Sequence, residues 1–151
     1  MSVYVVGNYA YVANYSSGLQ IINISNPVNP TLVGSCDTSS DSYDIHVAGN
    51  YAYVLCDTAL DIIDISVPTT PTVTGTYGSL YWATSLHVAG DYAYVGDYDN
   101  GLQIINISNK ANPAWAGAYN TPGAAKGVYR VGDYVYVADR DTGLLIIKVG
   151  K

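Results

Sequence analysis

Histidine and tyrosine recur at one position of a long periodic pattern, and they are the side chains best suited to metal binding here. Tyr4, His46, His87 and Tyr129 follow one another at steps of 42, 41 and 42 residues. Imidazoles gathered at a symmetric site can bind a metal ion, so we predict that these four side chains line a channel. Histidines packed between neighbouring elements are the alternative. No hydroxyl or thiol paired with a base lies beside them, so we predict no catalytic residues and no enzyme.

Two acidic segments offer oxygen ligands at close spacing. Residues 97–101 and 139–143 both read D-x-D-x-G, and hard oxygen ligands of this kind suit calcium. The predicted metal ligands are Asp97, Asp99, Asp139 and Asp141. Asp is also an ordinary turn residue, and no Glu completes a cage, so a plain turn is the alternative. No cofactor is predicted.

Aromatic residues stand beside carboxylates in the segments that differ most among the repeats. These predicted ligand-binding residues are Asp41, Tyr43, Asp44, Tyr81 and Trp82. Loops on a rigid scaffold commonly carry binding, and exposed aromatics beside Asp would suit a sugar or a protein partner. Solvated loops, with Trp82 packed between elements, are the alternative.

A fourfold internal repeat must position all of these groups. The marker glycines Gly7, Gly49, Gly90 and Gly132 are separated by 42, 41 and 42 residues. The short step arises because the second copy lacks one residue in the turn before Leu60. A fixed period of this length indicates a repeat architecture.

Each copy reads as short strands separated by turn signals. In the first copy the strands are predicted to end near residue 6 and to cover 9–13, 19–24 and about 31–36, with a longer loop at about 37–44. Gly followed by Asn or Asp between the first two strands is a tight hairpin signal. The third strand carries apolar side chains on both faces, which favours stacked blades over a sandwich.

The predicted fold is therefore an all-β propeller of about four four-stranded antiparallel blades in a single domain of 151 residues. The repeats cover approximately 3–44, 45–85, 86–127 and 128–151, and the last blade lacks its outer strand. Lys148 and Lys151 lie near that open edge and would discourage aggregation between sheets.

Four blades in an open arc expose two apolar faces, which creates a pressure to oligomerise. We predict a two-fold homodimer that forms an eight-bladed ring. A self-closed four-bladed monomer, another oligomer and a fragment of a longer array are the alternatives.

Composition excludes several other functions. Charged residues make up 12% of the chain, the net charge is −6, and the six Lys and Arg residues are scattered, so no nucleic-acid surface is predicted. No apolar run has the length of a membrane span, and no signal peptide is recognised, so no membrane insertion is predicted. Cys36 and Cys56 predict two free buried thiols, with one disulfide as the alternative.

The segments GNYAYVA, from Gly7, and GLQIINISNPVNP, from Gly18, resemble the LVIVD repeat, a family of propeller blades. The second copy departs from this pattern at 55–60, and Lys148-Val149 replaces the family's Asp-Ile. The resemblance implies a propeller of surface or secreted proteins without common catalytic residues. The expected function is a non-enzymatic interaction scaffold that assembles into a ring, outside the cell or at its surface. The alternative is a lectin-like propeller that binds carbohydrate through the variable loops.

Overall fold

The computed structural model describes residues 1–150 and contains fifteen β-strands in four antiparallel sheets, which confirms the predicted blades. Blade 1 contains β1 (Ser2–Val6), β2 (Tyr9–Ala13), β3 (Leu19–Asn23) and β4 (Thr31–Cys36), and blade 2 contains β5 (Ser42–Ala48), β6 (Tyr51–Cys56), β7 (Leu60–Asp64) and β8 (Thr72–Tyr77). Blade 3 contains β9 (Ala83–Ala89), β10 (Tyr92–Asp97), β11 (Gly101–Asn106) and β12 (Ala114–Tyr119), and blade 4 contains β13 (Ala125–Val131), β14 (Tyr134–Asp139) and β15 (Gly143–Lys148). Lys151 lies outside the described residues.

Each blade is a meander in which strands adjacent in sequence are hydrogen-bonded neighbours. The hairpin between the first two strands turns on a glycine with φ between 56° and 60° in all four blades. Side chains other than glycine disfavour this left-handed backbone, so the Gly-Asn and Gly-Asp signals specify the turn directly.

The inner strands of blades 2, 3 and 4 begin at 42, 83 and 125, three residues before the predicted repeat boundaries. Each contains a shift of register near its start, as between Ser42 and Asp44. A bulge accommodates one extra residue and lets the pairing continue. The Ser42 side chain is buried, and its hydroxyl lies 3.2 Å from the carbonyl oxygen of Tyr15. These bulges lie at the start of the inner strands, where the loop between blades leads into the next repeat.

The blades pack face to face through a repeated set of side chains. The face toward the following blade is here called the leading face. In every blade it carries two residues of the second strand, one of them a tyrosine, and a leucine and an isoleucine of the third strand. These residues are Tyr11, Ala13, Leu19 and Ile21 in blade 1; Tyr53, Leu55, Leu60 and Ile62 in blade 2; Tyr94, Gly96, Leu102 and Ile104 in blade 3; and Tyr136, Ala138, Leu144 and Ile146 in blade 4. The opposite, trailing face begins with Val3 and Val5 in blade 1, and with Ile45 and Val47 in blade 2. Three apolar clusters join blade 1 to 2, blade 2 to 3 and blade 3 to 4.

The two end faces of the arc are exposed. On the leading face of blade 4, Leu144 is 62% and Ile146 58% exposed, whereas Leu19, the equivalent of Leu144 in blade 1, is 0% exposed. On the trailing face of blade 1, Val3 is 59% and Val5 56% exposed. The chain therefore does not close on itself, and the self-closed four-bladed monomer is not the observed arrangement.

One buried carboxylate holds the loop that connects the first two blades. The Asp61 carboxylate, which is fully buried, accepts hydrogen bonds from the backbone N–H and hydroxyl of Ser39 at 2.7 and 2.6 Å, and from the Thr76 hydroxyl at 2.7 Å. Cys36 and Cys56 are free thiols. Burial and the nearby charge of Asp61 raise the pKa of Cys56 to about 12.

Candidate functional site

A pocket of about 630 Å³ opens on the rim formed by the variable loops. Residues from blades 2, 3 and 4 line it: Tyr43, Asp57, Trp82, Ala83, Thr84, Tyr98 and Lys126. Its volume falls within the usual range for ligand sites in proteins. Three aromatic rings and two opposite charges therefore meet where the sequence varies most among the repeats.

Trp82 is the most distinctive residue of this rim pocket. Its backbone has φ = 51°, a left-handed conformation that is costly for a residue other than glycine, and its side chain is 62% exposed. The Tyr98 N–H donates to the Trp82 carbonyl at 3.2 Å, and the N–H of the preceding Tyr81 donates to the Asp97 carboxylate at 2.8 Å. The indole packs edge-on against Tyr98, with 5.8 Å between ring centroids. The loop thus fixes a large aromatic ring in solvent.

One end of the pocket is basic. Lys126 Nζ lies 4.2 Å from the centroid of the Tyr98 ring, and Arg140 Nη1 donates to Tyr98 Oη at 2.7 Å. Arg140 also pairs with Asp141 at 3.0 Å, which is the only salt bridge within residues 1–150. The ammonium group of Lys126 is therefore not neutralised by a carboxylate of the described chain.

The other end of the pocket is acidic. Asp57 and Tyr43 come from blade 2, whereas Lys126 comes from blade 4, so the two ends lie on either side of Trp82 in blade 3. Burial raises the pKa of Tyr43, and the nearby carboxylates of Asp57 and Asp41 raise it further. The site can therefore present hydrogen-bond acceptors at one end and cations at the other.

The five predicted rim residues have different environments. Tyr43 and Trp82 line the pocket, Asp41 lies close enough to Tyr43 to raise its pKa, and Tyr81 is exposed outside the lining. The Asp44 carboxylate is occupied elsewhere: Oδ2 accepts the N–H of Leu86 at 2.9 Å and joins blade 2 to blade 3. Sequence reasoning did not select the remaining lining residues, which are Asp57, Ala83, Thr84, Tyr98 and Lys126. The signal that could have identified them is the divergence of their loops among the four repeats.

The two D-x-D-x-G segments form hydrogen-bonded turns. Asp97 Oδ1 accepts the backbone N–H groups of Asp99 and Asn100 at 3.1 and 3.0 Å. Asp139 Oδ1 accepts the N–H of Asp141 at 3.0 Å in the same way. Burial raises the pKa of Asp139, but its hydrogen bonds outweigh that effect and lower the value to about 2.

Asp97 and Asp139 therefore act as acceptors within their turns, and the calcium site stays a prediction. Within residues 1–150 no three His, Cys, Asp or Glu side chains lie in an arrangement that could hold a metal ion.

The predicted column forms a continuous row along the innermost strands. The ring centroids of Tyr4 and His46 are 4.9 Å apart, those of the two histidines 5.1 Å, and those of His87 and Tyr129 4.2 Å. Burial lowers the pKa of both imidazoles. The positive charge of His87 adds to this effect at His46, and that of Arg130 adds to it at His87. The row therefore consists of aromatic rings that meet at tilted and edge-on angles, and burial favours the neutral form of its two imidazoles.

Four antiparallel sheets that pack through both faces around their inner strands define a β-propeller-like array of blades. The LVIVD repeat matches residues 1–38, 40–79, 82–121 and 122–149. The chain belongs to the LVIVD repeat family. No curated protein matches it.

Two solved structures of designed proteins share the fold. The computationally designed Ika4 protein has a TM-score of 0.81 and 10% identity, over 99% of this chain and 90% of that chain. The computationally designed Ika8 protein has a TM-score of 0.77 and 12% identity, over 97% of this chain and 45% of that chain. The chain thus spans less than half the length of Ika8. At these identities the likeness concerns the fold alone.

Among residues 1–150, no helix has the length and apolar character that a membrane crossing requires.

Proposed function

We propose that this protein is a non-enzymatic interaction scaffold that pairs with a second copy to close an eight-bladed ring at the cell surface or outside the cell. The equivalence between its exposed end faces and its buried internal faces carries the proposal. The family resemblance supports the location, and the absence of any catalytic constellation in the sequence motivates the non-enzymatic role.

The leading face of blade 4 offers the same types of side chain that pack at the three internal interfaces, where all but the half-buried Ile104 are buried. Leu144 occupies the repeat position of Leu19, and Ile146 that of Ile21, and both of these equivalents are fully buried. An apolar groove of about 290 Å³ lies on this face beside Tyr136 and Leu144. The leading face of blade 4 therefore carries the same types of side chain as one side of an internal interface between blades.

The trailing face of blade 1 supplies the complementary half. Val3 and Val5 occupy the positions of Ile45 and Val47, which are buried against blade 1 in the first cluster. Blade 4 of one copy can therefore pack on blade 1 of the other as blade 1 packs on blade 2. Two-fold symmetry generates two identical junctions of this kind, here called seams, and leaves neither end face uncovered.

Light scattering on a sizing column tests the ring. The expected mass is close to twice 16.1 kDa. Leu144→Asp should give monomers that remain folded, because the residue is exposed in the single chain. Val28→Asp is the matched control and should stay dimeric, because Val28 is exposed and its equivalents Thr69 and Ala111 remain exposed beside the internal interfaces. A stable monomer at high protein concentration, or a dimer that survives Leu144→Asp, would overturn the proposal.

Mixing two variants tests the direction of the seam. Val3→Asp damages only the trailing face of blade 1, and Leu144→Asp damages only the leading face of blade 4. A mixed dimer retains one intact seam, whereas either variant alone retains none. We expect more dimer in the mixture than in either separate sample, and equal amounts would contradict the head-to-tail pairing.

The rim pocket favours a second candidate function, which is carbohydrate binding by a lectin-like propeller. Exposed Trp82, with Tyr43 and Tyr98, provides aromatic faces beside the Asp57 carboxylate. Such rings can pack on the apolar face of a sugar while a carboxylate accepts its hydroxyl groups. Titration of broad oligosaccharide classes, followed by tryptophan fluorescence, tests this candidate, and no response to any class would refute it.

A further inference from the structure

We infer that the rim pocket binds an acidic sugar residue whose carboxylate lies at Lys126 and Arg140 and whose ring packs on Trp82. This inference rests on the carbohydrate-binding candidate proposed above and specifies its ligand class. It follows from three features of the pocket: the exposed indole, the two cationic side chains at one end and the carboxylate at the other.

The indole of Trp82 is presented to solvent by a strained loop. A left-handed aromatic residue is retained only where the surrounding structure fixes it, and hydrogen bonds at Tyr81 and Tyr98 do so here. Trp115 is exposed to a similar degree but lies on the outer strand β12, outside the pocket. The two tryptophans of the chain therefore differ in setting, and Trp82 is the one placed beside convergent polar groups.

Positive charge is scarce in this protein, but two cationic side chains meet at the pocket. The chain has six Lys and Arg residues against twelve Asp, and two of the six meet at Tyr98. Lys126 is free of salt bridges within the described residues, and the Arg140 guanidinium retains donors beyond those used by Asp141 and Tyr98. A ligand carboxylate would satisfy both cations, and Arg binds carboxylates with defined geometry.

The acidic end gives the ligand one orientation. A carboxylate placed at Asp57 would be repelled, whereas sugar hydroxyl groups can donate to Asp57. The aromatic rings between the ends match the flat, apolar face of a sugar ring better than the irregular outline of a peptide. Acidic peptides satisfy the cations but leave the Asp57 end unmatched, so they serve as an alternative ligand in the test.

The two tryptophans allow a clean binding assay. In a Trp115→Phe background, Trp82 is the only indole and reports directly on the pocket. The probes are a galacturonic acid tetramer, a neutral galactose tetramer and an aspartate tetramer. We expect saturable binding of the uronate at least about fivefold tighter than that of the neutral sugar, with the difference shrinking at high salt because exposed ion pairs are screened.

Two variants separate the contributions of charge and aromatic stacking. Lys126→Gln should weaken uronate binding several-fold more than it weakens neutral-sugar binding, and so remove most of the preference for the uronate. Trp82→Gly should weaken both sugars at least about tenfold, measured by calorimetry because the reporter is lost; glycine tolerates the left-handed backbone, so the loop can still fold. Lys148→Gln, a charge-matched change on β15, is the control and should alter neither affinity.

The outcomes distinguish this inference from the candidate on which it rests. Equal binding of the uronate and the neutral tetramer would overturn the acidic-sugar inference while supporting carbohydrate binding. No binding of either sugar would overturn both, and aspartate binding as tight as uronate binding would identify an anion or peptide site instead. The ring-closure proposal is measured separately by the mass of the assembly.

Discussion

Replacing Leu144 by Ala gives a quantitative test of the seam. In the single chain this side chain is 62% exposed, whereas its equivalents Leu60 and Leu102 are fully buried inside the array. Covering the exposed part of a leucine contributes roughly 1–2 kcal/mol, a fraction of the value for complete burial. A ring with two identical seams loses this contribution twice, or roughly 2–4 kcal/mol per dimer.

That loss corresponds to an increase in the dimer dissociation constant of roughly 30-fold to several hundredfold. Sedimentation equilibrium over a dilution series measures the constant directly. The stability of the isolated chain should change little, because Leu144→Ala removes few contacts made within one copy. Leu60→Ala is the informative comparison: the same change at the same repeat position should lower the free energy of unfolding by about 2–5 kcal/mol.

The reasoning fails if Leu144→Ala leaves the dissociation constant unchanged in a protein that still dimerises. It also fails if Leu144→Ala destabilises the folded monomer as strongly as Leu60→Ala does. Val28→Ala, at an exposed loop position, controls for the loss of an apolar surface residue and should affect neither quantity.

Three further predictions follow from buried groups. Asp61→Ala should lower the free energy of unfolding by about 1–3 kcal/mol in denaturant titration, because it leaves three partly buried donors without their acceptor. Cys56, with its pKa raised to about 12, should resist alkylation at pH 8 in the native protein while Cys36 reacts first, as followed by peptide mass spectrometry. The pKa values of His46 and His87 are lowered in the folded protein, so the unfolded chain binds more protons than the folded chain as the pH falls. The free energy of unfolding should therefore decrease as the pH drops below about 6.5.

Each of these has its own control. Asp61→Asn retains an acceptor and should cost less than the alanine variant. Both thiols should react at similar rates in denaturant, and fast labelling of native Cys56 would contradict its burial. Replacing both histidines by Asn should flatten the dependence of stability on pH between about 7 and 5, and an unchanged slope would assign that dependence to other groups.

Local signals made the blades predictable from sequence. Each glycine at a first hairpin specifies a turn that needs left-handed backbone, and the doubly apolar third strand requires cover on both faces. Both features lie within one repeat, so they can be recognised in a single amino-acid sequence.

The rim pocket was only partly predictable because it depends on how neighbouring blades are rotated and stacked. Tyr43 and Trp82 were selected by type, but nothing in the sequence places Lys126 over the ring of Tyr98. Asp44 resembles the other rim carboxylates in sequence, yet its side chain reaches the Leu86 N–H of the next blade. Only the contacts between repeats show which carboxylate is already hydrogen-bonded within the protein and which one is available to a ligand.

The missing residue in the second repeat shows where this protein can tolerate insertions and deletions. The other three turns between the second and third strands contain a left-handed glycine, Gly18, Gly101 or Gly143, and blade 2 has none there. The pairing of Leu55 with Leu60 is nonetheless preserved, so the change in length stops at the turn. Asp57 in that shortened turn is part of the pocket wall. Changes in loop length can therefore reshape the rim of one blade while the interfaces between blades stay the same.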